Sequence, residues 1–101
     1  MNLEQARARA DILKALAHPI RILLLEALSR GERCVSELNE LAAVDQSTIS
    51  RHLAQLKKAG IVGERRMGAK VMHRLACPCM LRAVECAVEV LAAARQRRRA
   101  Q

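Results

Sequence analysis

The sequence contains no Phe, Tyr or Trp, and only two prolines and four glycines among its 101 residues. Without aromatic rings the core must be assembled from Leu, Ile, Val, Ala and Met, which individually bury less area. A chain of this length supports one domain, and a small aliphatic core gains from a second copy that covers more apolar surface. A homodimer is therefore expected. Long hydrophobic runs are missing too. The densest aliphatic run, Ile22 to Leu25, is far too short to span a bilayer. Met1 to Ala10 is polar, carries Glu4, Arg7 and Arg9, and has no apolar segment of the secretion type. The expectation is a cytoplasmic protein with no membrane partner. Catalytic machinery is equally absent: there is no nucleotide-binding glycine loop and no triad-like arrangement. Glu85 and Glu89, one turn apart, read as solubilising groups or as intrahelical partners of Arg82. Enzyme activity is not expected.

What the chain does have is positive charge and thiols. Eighteen Lys and Arg against ten Asp and Glu give a formal net charge of +8, which points to a polyanion such as nucleic acid or to an acidic membrane surface. The four cysteines are Cys34, Cys77, Cys79 and Cys86. In the cytoplasm they are expected to stay reduced, which favours metal, metalloid or redox chemistry over a structural bridge.

Periodicity places a first helix over Leu3 to Leu16, with Leu3, Ala6, Ala10, Leu13 and Ala17 on one stripe. His18-Pro19 breaks it, and Pro19 suits the first position of a second helix that runs to about Ser29 and stops at Gly31. That helix is apolar almost all round, so it is expected to be central and buried. A short strand at Arg33-Cys34 and a helix from Val35 to Ala42 follow, with Val35, Leu38 and Leu41/Ala42 facing inward. Asp45 is placed to cap a helix from Gln46 to Ala59, which Gly60 ends in a left-handed conformation. Ile61 to Arg66 and Val71 to Ala76 read as strands around a turn at Met67 to Lys70. Pro78 then opens a last helix with Cys77 at its cap and Leu81, Val84, Val88 and Leu91 as its stripe. Arg95 to Arg99 form a basic tail, expected to fray. The fold class is mainly α with a small β-hairpin, a winged helix-turn-helix. It forms one domain over residues 1–101, best supported over 10–92, with 93–101 as the tail.

The helix Gln46 to Ala59 is the most informative segment. Ile49, Leu53 and Leu56 share one face and must meet the core. Ser47, Arg51, Ala54 and Lys58 lie opposite, flanked by Thr48, Ser50 and Gln55. Short polar side chains permit close approach to a major groove, Arg and Gln can read base edges bidentately, and amides at the helix start favour phosphate. Arg65, Arg66 and Lys70 on the hairpin would meet phosphate or the minor groove and set register. His52, at the core edge, reads as a structural histidine or a phosphate contact rather than a metal ligand.

The segments "ADILKALAHPIRILLLEAL", "QSTISRHLAQLKKAGIV" and "ERRMGAKVMHRL" resemble the ArsR/SmtB family of metal- and metalloid-responsive repressors over about residues 10–92. The resemblance implies a dimer joined through its first and last helices, bound to double-stranded operator DNA and released by an effector. By it, Gln46, Ser47, Thr48, Ser50, Arg51 and His52 match the family's recognition-helix positions. No cofactor is implied for DNA binding itself. The chain departs from the family in the second wing strand, where Met72 and His73 stand in place of a usual tyrosine. That change is expected to alter packing beneath the wing without altering docking.

Soft thiolates favour thiophilic ions such as zinc-group metals, copper(I), or trivalent arsenic and antimony. "GERCVSEL" resembles the family's Cys-Val-Cys arsenic motif, with Cys34 as its first cysteine and Ser36 in place of the second. Cys34 is thus the weaker ligand candidate, and a small buried apolar residue is its ordinary role. The run "CPCMLRAVEC" lacks the Asp and His of the family's zinc sites on this helix. It is similar to members that sense trivalent arsenic or antimony through cysteines there, so Cys77, Cys79 and Cys86 are the candidate ligands and arsenite or antimonite the candidate inducer. Cys79 and Cys86 share a face but lie roughly 10 Å apart along a helix, too far to chelate one atom. Three arrangements remain open: Cys79 pairs with Cys86 of a partner subunit, the helix begins later, or Cys77 and Cys79 bind together with a third ligand from elsewhere. A helix start would lower the thiol pKa of Cys77 and Cys79. Buried apolar cysteines, a redox or persulfide-sensing repressor of the same fold, and a winged-helix protein-interaction module are the competing readings.

Overall fold

The computed structural model describes residues 1–100. Five helices and one hairpin follow in the order α1 (Leu3–Leu16), α2 (Pro19–Ser29), α3 (Val35–Ala42), α4 (Gln46–Lys58), β1 (Val62–Met67), β2 (Lys70–Leu75) and α5 (Met80–Arg99), a winged helix-turn-helix. Local chemistry sets the starts. Asn2 Oδ1 accepts from the Gln5 N–H at 2.9 Å while Gln5 Oε1 accepts from the Asn2 N–H at 2.9 Å, a reciprocal cap on α1. Pro19 opens α2 with the His18 Nδ1 accepting from the Ile20 N–H. The α3–α4 connection is three residues long in sequence, Ala43 to Asp45, and turns through Ala43 at φ +52°, a left-handed position usually given to Gly or Asn.

The core joins Leu16, Leu24, Leu25, Leu28, Leu38, Ile49, Leu53, Leu56, Ile61 and Val62. It is aliphatic throughout and holds α2, α3, α4 and the root of the hairpin together. Two expectations need correction. The second helix is not buried all round: Leu24, Leu25, Ala27 and Leu28 are, but Ile22 and Leu23 are exposed. Likewise α3 turns Leu38 fully inward but leaves Leu41 exposed.

Each strand sits one residue nearer the turn than expected, at Val62–Met67 and Lys70–Leu75, so the turn is shorter than the expected Met67 to Lys70. Met67 pairs with Lys70 across a two-residue turn, Gly68-Ala69, with Gly68 at φ +65°, the conformation glycine supplies at the first position of a tight hairpin turn. The expected strand at Arg33-Cys34 is a single bridge, in which Arg33 and His73 exchange backbone bonds of 3.0 and 2.8 Å. The last helix begins two residues later than Pro78, with Cys79 at its cap position. It runs to Arg99, and cations in its last turn suit the negative end of the helix dipole. Arg82 forms no ion pair with Glu85 or Glu89 among the described residues.

His73 occupies the space under the wing and is only 7% exposed. Burial pushes its pKa down, opposed by the Glu64 carboxylate 3.9 Å away. The unfolded chain therefore takes up the proton first as pH falls. Stability should be full above about 6.5 and decline as pH drops through and below that value. Denaturation midpoints at pH 7.5 and 5.5 check this: the midpoint should be lower at pH 5.5, and equal midpoints would contradict a buried neutral imidazole.

Candidate nucleic-acid interface

Helix α4 is amphipathic in the sense its sequence requires. Ile49, Leu53 and Leu56 are buried against the core, while Gln46, Ser47, Ser50, Arg51, Ala54 and Gln55 are exposed. Thr48 and His52 sit half-buried at the two margins. The start of the helix is fixed by Asp45, whose Oδ1 accepts from the Thr48 N–H at 2.7 Å and from the Ser47 hydroxyl at 2.9 Å. Those bonds hold the Asp45 carboxyl at a pKa of about 2. Arg51 donates to the Thr48 hydroxyl at 3.2 Å and is otherwise free of ion pairs among the described residues. The result is a protruding face of small donors and acceptors around one unneutralised guanidinium.

The hairpin lies beside this face, and its cations divide. Side chains alternate along a strand, so Arg66 shares a face with Glu64, Val71 and His73, whereas Arg65 shares the other with Arg74 and Met72. Arg65 is already engaged. It grips Glu32 of the α2–α3 turn with Nε at 2.9–3.0 Å and a second nitrogen at 2.6 Å. This holds the Glu32 carboxyl below the usual range. Arg66 and Lys70 form no ion pair among the described residues. Glu64 is engaged by Lys57 of α4, which ties the hairpin to the helix. A cleft between them is lined by Val35, Ser50, Leu53, Ala54, Lys57, Glu64 and His73.

Two further features carry no signal in the amino-acid order. Glu32 and Glu64 are not marked by any motif, yet each neutralises one basic residue near the interface. Arg21, from α2, reaches His52 Nδ1 with its Nε–H at 3.0 Å across 31 residues, a contact no local pattern reveals.

The cysteines are distributed unevenly. Cys77 and Cys79 are joined by a disulfide, with Cα atoms 5.3 Å apart. This corrects the expectation that all four thiols stay reduced: the turn at Pro78 brings the two sulfurs together before the helix begins. Cys86 is free and exposed on α5, and Cys34 is free and buried. The Cys34 thiol donates to Glu37 Oε1 at 3.1 Å and lies 3.1 Å from the Ser36 hydroxyl. Among the described residues no group of three or more Cys, His, Asp or Glu is assembled that could hold a metal ion within one subunit.

Two apolar stripes are exposed, one on α5 and one on α1. Leu81 and Val84 of α5 pack on the core, but the same stripe continues into Val88 and Leu91, which are 62% and 56% exposed. On α1, Ile12, Ala15 and Leu16 face the core, so the stripe containing Leu3 and Leu13 is left outside, at 65% and 54% exposure. No helix is long and apolar enough to cross a membrane among the described residues.

Comparison with known proteins agrees with this architecture. The family described as "Bacterial regulatory protein, arsR family" matches residues 18–64. The transcriptional repressor SmtB of Mycobacterium tuberculosis is 44% identical over 69 residues, covering 68% of this chain; the chain spans about half the length of that relative, 51%. The uncharacterised transcriptional regulator Rv0081 of the same organism is 36% identical over 87 residues, covering 85% of this chain and 76% of that protein. Its crystal structure superposes with a TM-score of 0.81 at 32% identity, covering 96% of this chain and 98% of that one. The crystal structure of AntR, an antimony-specific transcriptional repressor, gives a TM-score of 0.79 at 29% identity over 94% of this chain and 86% of that one.

Proposed function

The chain belongs to the ArsR family of bacterial regulatory proteins, and from that premise we propose that it is a homodimeric, operator-binding transcriptional repressor acting in the cytoplasm. The observation that carries this reading is the exposed face of α4. Gln46, Ser47, Ser50, Arg51 and Gln55 stand clear of the subunit, with Thr48 and His52 at its margins, while Ile49, Leu53 and Leu56 anchor the opposite side. Arg51 and Gln55 have the bidentate geometry that base edges reward. Arg66 and Lys70 would meet phosphate, and Arg65 would do so by exchanging Glu32 for it. The exposed stripes of α1 and α5 form the dimer contact, which lets two α4 helices address two half-sites.

The effector in this reading is trivalent arsenic or antimony, bound by thiolates at the start of α5. Cys77 and Cys79 bring two sulfurs within bonding reach of one another, which favours the arrangement in which this pair, once reduced, binds together. A third thiolate is supplied by the partner subunit's Cys86 if the two α5 helices run antiparallel. The likeness to an antimony-specific repressor supports the same chemistry. A second reading is favoured by the disulfide itself. The Cys77–Cys79 pair would be a thiol switch, losing two protons and two electrons to an oxidant such as hydrogen peroxide, which is reduced to two waters.

An operator-release assay on reduced protein separates these readings, comparing arsenite, antimonite, zinc, cadmium, polysulfide and hydrogen peroxide. Cys79→Ser and Cys86→Ser should both bind operator as tightly as the unaltered protein and fail to release it with arsenite. Release by arsenite in both variants would refute the metalloid assignment. Release by peroxide that is lost in Cys79→Ser but kept in Cys86→Ser would establish the redox reading instead.

A further inference from the structure

We propose that Arg21 is a positioning residue for operator binding: by donating to His52 Nδ1 it holds that imidazole in its neutral Nε2–H form and ties α4 to the end of α1. The proposal rests on α4 being the operator-facing helix.

Arg21 is the third residue of α2 and is half-buried. Its Nε–H donates to His52 Nδ1 at 3.0 Å, and a terminal nitrogen donates to the Ala15 carbonyl at 2.9 Å. Ala15 lies in the last turn of α1, where carbonyls lack intrahelical partners. One guanidinium thus links three helices. A guanidinium has no acceptor and does not deprotonate. His52 Nδ1 must therefore accept, and the proton of the neutral ring resides on Nε2.

The surroundings support the neutral ring. The His18 ring from the α2 cap lies 4.3 Å from that of His52, tilted by 41°. The charged or titratable groups bearing on His52 are His18 and Arg21 from the α2 side and Arg51 from its own helix, and together with burial, the largest cause, they push its pKa down. From α1, Asp11 lines an adjoining cleft with Gln55 and Lys58. The cleft His52 itself lines is formed with Arg21, Arg51, Ala54 and Gln55 and contains no carboxylate. Arg51 and Gln55 are its two proposed base-reading residues, so the bond that fixes His52 also fixes the rotation of α4 that presents them. Because Arg21 also holds α1, a helix proposed to lie in the dimer contact, movement there would reach α4 through this side chain as well as through the direct packing of Ile12 and Ala15 on the core.

The test is the ¹⁵N spectrum of the histidine rings between pH 5 and 8, recorded beside operator affinity for the unaltered protein, Arg21→Met and Arg21→Lys. In the unaltered protein His52 should carry its proton on Nε2 and titrate below the ordinary histidine value. In Arg21→Met its titration should move upward and its tautomer become mixed, while operator affinity falls about tenfold and acquires a pH dependence between 5.5 and 7. Arg21→Lys, which keeps a donor, should recover part of both. A proton on Nδ1 of His52 in the unaltered protein overturns the proposal without any variant being needed. An unchanged titration in Arg21→Met, or a shifted titration with unchanged operator affinity, overturns it as well. A protein that shows the expected tautomer but binds no DNA would instead refute the operator reading and leave the Arg21–His52 link standing.

Discussion

Replacing Leu91 by Asp is expected to convert the protein to a monomer and to weaken operator binding by roughly 10²–10⁴-fold. Leu91 lies on the α5 stripe that begins on the core at Leu81 and continues into solvent through Val88. In an isolated subunit an Asp there has water around it and should leave the fold intact, since no residue of α5 is fully buried. In the proposed dimer the same carboxylate would be trapped in an apolar contact with no cation provided for it, and burying an unpaired charge is far costlier than losing one methylene-rich contact. Two linked α4 helices address two half-sites with the second contact made intramolecular; a monomer loses that advantage entirely. Sedimentation of the variant should show a monomer with unchanged circular dichroism. A variant that stays dimeric would move the dimer contact away from α5.

Arg51→Ala should be the most damaging single change on the exposed face of α4. Arg51 is the one cation there whose guanidinium is held by a hydroxyl, Thr48 Oγ1, rather than by a carboxylate. It can therefore turn to a base edge without first breaking an ion pair. Losing a bidentate base contact costs about 1–3 kcal/mol at each half-site, and a dimer loses it twice. The thermal midpoint should hardly move, because the side chain is exposed and packs on nothing in the core. Arg65→Ala should cost less. Its pairing with Glu32 must be given up before it can meet phosphate, so its net contribution is a difference between two surface contacts.

Much of this arrangement is legible in the amino-acid order, for reasons that differ by element. The spacing of Ile49, Leu53 and Leu56 dictates which side of α4 is buried, and Asp45 and Gly60 mark its ends by cap chemistry; the helix runs from Gln46 to Lys58 with both residues in those roles. The strand ends are legible only to within one residue, because alternation in a short strand identifies faces better than ends, and only the Met67–Lys70 pairing reveals that the turn is two residues long. The exposure of Ile22 and Leu23 is invisible in an apolar run, since the pattern says only that a surface must be covered and not by which molecule. Least legible were the contacts between residues distant in sequence: Arg21 with His52, Arg65 with Glu32 and Lys57 with Glu64. Charge pairing across a fold leaves no period to detect. Redox chemistry of the cysteines is legible as an alternative, but which two of them join is not, because thiol oxidation is judged from compartment, whereas the turn through Cys77, Pro78 and Cys79 brings those two sulfurs together.

The most direct test of the groove-reading face is the affinity of the reduced protein for the duplex it selects from a random pool, against a scrambled duplex, from about 50 to 200 mM salt, with and without Arg51→Ala. The exposed α4 face predicts steeply salt-dependent binding to both duplexes, a strong preference for the selected one, and a preference largely erased by the substitution while the salt slope changes by little. Binding that ignores salt, or a preference that survives Arg51→Ala undiminished, would contradict it.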